Sequence, residues 1–314
     1  MALYLRPWKR CRMRLDAVMK DSFYNYHPTV NLLYFTLVIA FSMLLTHPVA
    51  QIIALICSIT YAVSTEGKKS VFFLLKFCLP MVLLTAFINP AFSHEGVTIL
   101  YYFSSGNPLT LESILYGVGA GTMLVIVILW FSAFSRVMTS DKFIYLFGKV
   151  IPALSLVLSM SLRFVPKFKK QAEIVMEAQR CIGRDISTGS LLQRFKTAVV
   201  VLSIMITWAL ENAIETADSM KSRGYGLRGR TAFSIYRMDD RDKYTLIWLG
   251  FCGLFLTAGT MVSAFGFRYF PSIRYAALDM MTIPFYVVYF GLCITPVVLN
   301  FTEERKWKTI YSKI

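Results

Sequence analysis

The stretch Ser161–Asp185, SLRFVPKFKKQAEIVMEAQRCIGRD, sets the topology of this chain. From Arg163 to Arg194 the sequence carries Arg163, Lys167, Lys169, Lys170, Arg180, Arg184 and Arg194 against three acidic residues. Apolar runs flank this basic segment at about residues 143–162 and 195–210. If both runs crossed a bilayer, the basic segment would lie outside, against the cytoplasmic excess of Lys and Arg in membrane proteins. The first run is interrupted by Gly148, Lys149 and Pro152, and the second has about 16 residues where a crossing takes about 20. The adopted reading is a large cytoplasmic or interfacial helical domain, its apolar faces packed on each other and on the membrane ends. An eight-span arrangement is the alternative.

The rest of the chain is built for lipid. Of 314 residues, 56% are hydrophobic and 16% charged, against about 25% charged in ordinary soluble domains. Further apolar runs occur at about residues 29–45, 49–64, 70–89, 113–134, 245–264 and 282–299. Thr46-His47-Pro48 joins the first two as a hairpin, with Pro48 at a helix start where a missing N–H costs nothing. Arg6, Lys9, Arg10, Arg12, Arg14 and Lys20 place the N-terminus in the cytoplasm, and a retained first helix fits better than a cleaved leader. Residues 90–112 hold no Lys or Arg, as an external loop should, whereas 135–244 holds 18 Lys and Arg against 10 Asp and Glu. Arg305, Lys306, Lys308 and Lys313 put the tail inside; Arg268 and Arg274 are the exceptions on the outer side. Lys76 stands inside the third run. Either it meets a partner in the membrane or its long stem reaches an interface, the simpler reading.

Net charge of +15 therefore reads as topology rather than nucleic-acid binding. The six cysteines show no CxxC spacing, so neither a metal site nor a disulfide framework is expected. His27, His47 and His94 lie at membrane borders, and no paired carboxylates or nucleophile-and-base set appears. A stand-alone secondary transporter is disfavoured because charges crowd into the middle domain instead of several spans. A membrane enzyme lacks a catalytic constellation, and a membrane scaffold is the remaining alternative.

Within the middle domain, Pro166 reads as a kink or as a fresh first turn. After it Ala172, Val175, Met176 and Gln179 recur on one helix face, and Gly183 ends the helix. A second unit rhymes with the first: Phe195 to Ala209 is apolar, then ENAIETADSMKSRGYG (211–226) puts Ala213, Thr216, Ala217 and Met220 on one side. Small residues at that spacing permit close helix approach. Lys221 and Arg223 suit the negative helix end, and Gly224 stops it. Arginine beside a terminal glycine is also compatible with a solvated cap or a lipid headgroup contact. GYGLRGR lacks the spacing of a nucleotide loop.

At these residues the chain resembles the transmembrane coupling component of energy-coupling factor (ECF) transporters, related to the cobalt-transport permease. MKSRGYG is similar to the second of that family's two coupling-helix signatures, with Arg223 and Gly224 as the signature pair. PALSLVLSMSLRFVPKF (152–168) resembles the approach to the first signature, and EAQRCIGRD (177–185) the signature itself. The similarity covers roughly residues 25–265. Ala178, Gln179 and Arg180 fit, but Ile182 stands where the family has arginine, leaving Arg180 or Arg184 to do its work. The run at 282–299 and its tail look like an addition to the shorter family layout.

The resemblance implies a non-catalytic subunit of an ATP-driven importer of a vitamin or transition-metal ion, in a bacterial or archaeal cell membrane with both termini cytoplasmic. Its partners would be two cytoplasmic ATP-binding subunits and a small substrate-capture membrane protein. No cofactor would be bound directly, ATP being held by the partners, and no nucleic acid would be involved. The coupling residues would be Arg223, Gly224, Arg180, Gly183 and Arg184, with Ala178, Pro166, Ala213, Ala217 and Met220 packing helices. The expected fold is an all-α membrane protein of about six spans, with a cytoplasmic coupling-helix domain inserted between the fourth and fifth. Its boundaries are a basic segment 1–28, four spans in 29–134, the coupling domain 135–244, two spans in 245–299 and a tail 300–314.

Overall fold

The computed structural model describes residues 22–93, 96–102, 108–185, 190–227, 236–262, 265–275 and 280–311. The basic stretch up to residue 21, His94, Arg228, Arg230 and Lys313 lie outside the described residues. A 3-10 turn, Ser22–Asn25, leads into α1 (Pro28–Leu44), α2 (Pro48–Glu66) and α3 (Lys68–Phe92). A small ribbon of β1 (Ile99–Tyr102) and β2 (Pro108–Thr110) precedes α4 (Leu111–Val137). Next come α5 (Ser140–Val150), α6 (Pro152–Cys181) and α7 (Leu191–Ser222). The chain finishes with α8 (Asp240–Met261), a second ribbon of β3 (Phe267–Arg268) and β4 (Arg274–Tyr275), and α9 (Ile283–Tyr311).

Six of these helices are long and apolar enough to cross a membrane: α2, α3, α4, α7, α8 and the Ile283–Lys306 part of α9. The chain is thus a multi-pass membrane protein of all-α type. The insertion expected between the fourth and fifth spans lies instead between the third and fourth. Two helix lengths cause the change. The run 195–210 is the middle of the 32-residue α7, which extends over polar residues at both ends, whereas α1 stops at 17 residues. At 1.5 Å per residue α1 is about 26 Å long, short of the ~30 Å hydrocarbon core. In α6 the 30-residue length suffices, but Arg163, Lys167, Lys169 and Lys170 occupy its middle.

Packing divides the chain into two units, Met1–Thr139 with Tyr236–Ile314, and Ser140–Ile235. The first has an aromatic core. Trp130 of α4 is fully buried, edge-on to Tyr34 and Phe35 and stacked on Tyr61 at 6.1 Å. The last helix is part of this core. Tyr34 donates from its hydroxyl to the Cys293 carbonyl at 3.2 Å, Ser42 and Tyr289 share a hydroxyl bond at 3.1 Å, and the Phe23 N–H donates to Asn300 Oδ1 at 2.9 Å.

Local chemistry fixes the helix ends. In both His27-Pro28 and His47-Pro48 the imidazole Nδ1 accepts from a first-turn N–H, Thr29 or Val49, at 3.3 Å, while proline starts the helix. Asp242 closes a capping box on Asp239 and accepts from the His27 N–H at 3.0 Å, tying the chain's start to α8. α3 packs on α4 through glycine. A Cβ on Gly117 would fall 2.7 Å from the Thr85 carbonyl oxygen and 2.9 Å from Ala86 Cα, and one on Gly121 3.0 Å from Val82 Cα. The Gly117-x-x-x-Gly121 spacing lets the two backbones touch.

Candidate functional site

The candidate site lies in the second unit, at the ends of α6 and α7. α5 and α6 form a hairpin broken at Ile151 and Pro152, tied by Ser155 Oγ donating to the Ile144 carbonyl at 3.0 Å. α6 runs unbroken through Pro166 rather than restarting there. α7 begins in a capping box in which Ser190 and Gln193 satisfy each other's backbone N–H.

The two long helices meet near their midpoints. Phe168 sits edge-on to Trp208 at 5.3 Å and 89°, Lys167 Nζ lies 5.5 Å from the Trp208 ring centroid, and the same ammonium donates to Asn212 Oδ1. From this contact each helix runs about 20 Å to its C-terminal tip, at 1.5 Å per residue.

Both tips are built alike. At the first, Gly183 has φ +79°, its N–H donates to the Arg180 carbonyl at 3.0 Å, and the Arg184 N–H reaches back to the Gln179 carbonyl at 2.9 Å. At the second, Gly224 has φ +76°, its N–H donates to the Lys221 carbonyl at 2.9 Å, and the Tyr225 N–H reaches the Met220 carbonyl at 3.0 Å. Each pair of bonds is a Schellman motif, which satisfies the carbonyls a helix end leaves open and requires a left-handed residue, most cheaply glycine. The shared pattern fixes a correspondence: Arg180 with Lys221, Ile182 with Arg223, and Arg184 with Tyr225.

The side chains differ in what they have left to offer. Arg180 Nε lies 3.0 Å from Asp185 Oδ1, so this guanidinium already has a carboxylate. Arg184 and Arg223 are exposed, with no acidic group paired to either among the described residues. Ile182 is 63% exposed. Ala178, Pro166, Ala213 and Ala217 are exposed and Met220 is half-buried; Val175 and Val201 are buried, and contacts between the two helices are made by Phe168, Trp208, Lys167 and Asn212. Sequence reasoning passed over these four. Trp208 and Asn212, one turn apart at the end of an apolar run, are the signal that was there to read.

Large apolar side chains remain uncovered along both helices, among them Val165 and Ile174 of α6 and Leu202, Leu210 and Ile214 of α7. Among the described residues no three His, Cys, Asp or Glu side chains are grouped to hold a metal ion. Cys57, Cys78, Cys181, Cys252 and Cys293 are free thiols.

A family model, the cobalt transport protein CbiQ, matches residues 20–233, which include both tips. The chain belongs to the CbiQ family. Among similar proteins, the energy-coupling factor transporter transmembrane protein EcfT of Lactobacillus helveticus is 37% identical over 107 residues, 34% of this chain and 38% of the relative. That of Lacticaseibacillus paracasei is 34% identical over 113 residues, 36% and 41% of the two chains. EcfT 1 of Listeria monocytogenes is 29% identical over 210 residues, 63% and 73%. The aligned part thus spans about two fifths of the first two relatives and nearly three quarters of the third. The CbiQ-family match ends before α8, so the two last helices extend this chain's core beyond it.

Proposed function

We propose that this chain is the non-catalytic transmembrane coupling subunit of an ATP-driven importer of the energy-coupling factor type. The observation that carries the reading is the pair of matching tips in a CbiQ-family chain, each a rigidly capped helix end with exposed basic side chains. A helix end closed by a Schellman motif holds its shape when pushed. An exposed arginine beside it can bond a carboxylate with two parallel N–H groups. Such a tip suits a groove between helices of a cytoplasmic ATPase subunit, one tip for each of two subunits. ATP would be bound and hydrolysed there, with no cofactor on this chain.

At the second tip the docking residue is Arg223, standing before Gly224. At the first it is Arg184, because Ile182 fills the corresponding position and Arg180 is engaged by Asp185. The uncovered apolar sides of α6 and α7, with the small residues Ala178, Ala213 and Ala217, would receive a small membrane protein that captures the vitamin or metal ion. The two basic tips would face the cytoplasm, as their charge demands.

The test is co-purification. Arg223→Ala should lower recovery of ATPase subunits with this chain and abolish uptake while leaving membrane insertion intact. Unchanged assembly and transport in that variant would falsify the assignment.

A further inference from the structure

α3 carries a charge the coupling role does not use. Lys76 is exposed, eight residues into the helix, hence about 12 Å from its start at 1.5 Å per residue. Half of a ~30 Å hydrocarbon core is little more than that, so a straight side chain would leave the ammonium deep in lipid, where a charge is costly. Two features turn it back. The segment Leu74–Cys78 is a π-helical turn, with the Leu79 N–H donating to the Leu74 carbonyl five residues earlier. Lys76 Nζ also lies 5.5 Å from the ring centroid of Phe72, one turn nearer the start, and 5.7 Å from that of Phe77. Side chains on a helix tilt toward its N-terminus, and a lysine stem can carry its head toward water along apolar surface.

At that end of α3 stand Lys68 and Lys69, both exposed. The adjacent carboxylate, Glu66, is engaged by Arg136 at 3.2 Å. Around Lys76 the helix surface is uncovered and apolar: Phe72, Leu75 and Phe77 are each more than half exposed. Two exposed cations at the helix start and a third about two turns along, beside an open apolar surface, complement one molecular shape, an anionic head on apolar chains.

We propose that α3 holds the phosphate of an anionic phospholipid in the leaflet at its Lys68 end. Lys76 binds the phosphate from below, Lys68 and Lys69 bind it from the helix start, and Phe72, Leu75 and Phe77 contact the acyl chains. The π turn sets Lys76 above Phe72, and cation–π contact holds the ammonium toward the headgroup layer. This reading is independent of ATPase docking.

The test uses the full chain in nanodiscs of equimolar phosphatidylcholine and phosphatidylglycerol, stripped stepwise of lipid and weighed by native mass spectrometry. Wild type and Lys76→Arg should retain phosphatidylglycerol, and Lys76→Gln should retain it about fivefold less, the factor one basic group contributes at an anionic surface. Phosphatidylcholine retention should not change. A Lys68→Gln/Lys69→Gln double variant, altered only at exposed positions, should also lose phosphatidylglycerol and serves if Lys76→Gln fails to fold. Equal phosphatidylglycerol retention in the Gln variants overturns the proposal. So does a Lys76→Gln variant that keeps its phosphatidylglycerol but loses a membrane partner, since Lys76 would then pair with an acidic group on that partner.

Discussion

Ile182 and Arg223 hold the same place in two matching turns: each directly precedes a left-handed glycine, and the residue two further on donates its N–H to a carbonyl five residues back. One tip therefore presents an aliphatic side chain where the other presents a guanidinium. If position alone governed docking, the two tips would have unequal holds on their partners.

Ile182→Arg should strengthen association with ATPase subunits, and Arg184→Ala should weaken it more than Arg180→Ala, because Arg180 is already paired with Asp185. Charge-assisted hydrogen bonds contribute about 1.5–3 kcal/mol, so shifts of tenfold or more in apparent Kd are expected. Titration of purified ATPase subunits against each variant measures this.

Gly183→Ala has no steric clash to contend with, since open space surrounds the added Cβ, and so reports backbone strain alone, about 1–2 kcal/mol at a left-handed position. Gly224→Ala adds a contact 3.1 Å from Leu227 Cδ1 and should cost more. Hydrogen exchange at the Arg184 and Tyr225 amides, whose bonds close the motifs, should speed up locally with the global melting temperature little changed.

Gly121→Leu should separate α3 from α4. The added side chain has no room against Val82 and Thr85, and overpacking of this kind costs about 1–3 kcal/mol, more when backbone must move. Thermal unfolding in detergent reads the loss; Gly250→Leu, at a glycine with open space beside it, should be nearly silent.

Acid should weaken the turn between α1 and α2. His47 is 4% exposed, and burial lowers its pKa below the ordinary 6.5. The unfolded chain then takes up a proton more readily, so stability is full above about pH 6.5 and falls as pH drops below it. A proton on Nδ1 also removes the acceptor for the Val49 N–H. His47→Asn retains a capping oxygen and should flatten the melting temperature against pH in this range.

Cys181, exposed beside the first tip, is a native reporter of sidedness, the other described cysteines being buried. In a Cys11→Ser background, an impermeant maleimide should label it in inside-out vesicles and not in intact cells. The reverse result would reject a cytoplasmic tip.

Much of this architecture is legible without coordinates. The runs 70–89 and 113–134 lie inside α3 and α4, and 282–299 lies inside α9 but for its first residue, because about 20 apolar residues leave the backbone no other way to satisfy itself in lipid. Glycine at both tips was legible too, since φ near +80° is cheap for no other residue. Helix length was not. Polar residues lengthen α7 to Ser222 while giving no apolar signal, and this misplaced the insertion among the spans. Pro166 removes one hydrogen bond on an exposed stretch, too small a loss to stop a 30-residue helix. The repeated His-Pro pairs and the Gly117-x-x-x-Gly121 spacing were plain in the letters, yet their meaning depends on neighbours supplied by the fold.

The bonds joining α1 to α9 have a consequence for biogenesis. Tyr34 and Ser42 of α1 are made well before their partners, which follow 259 and 247 residues later. Over that interval α1 waits with these hydroxyls lacking the groups they bond in the folded chain. The bundle can lock only once α9 has been made, so synthesis of that helix is a checkpoint for assembly.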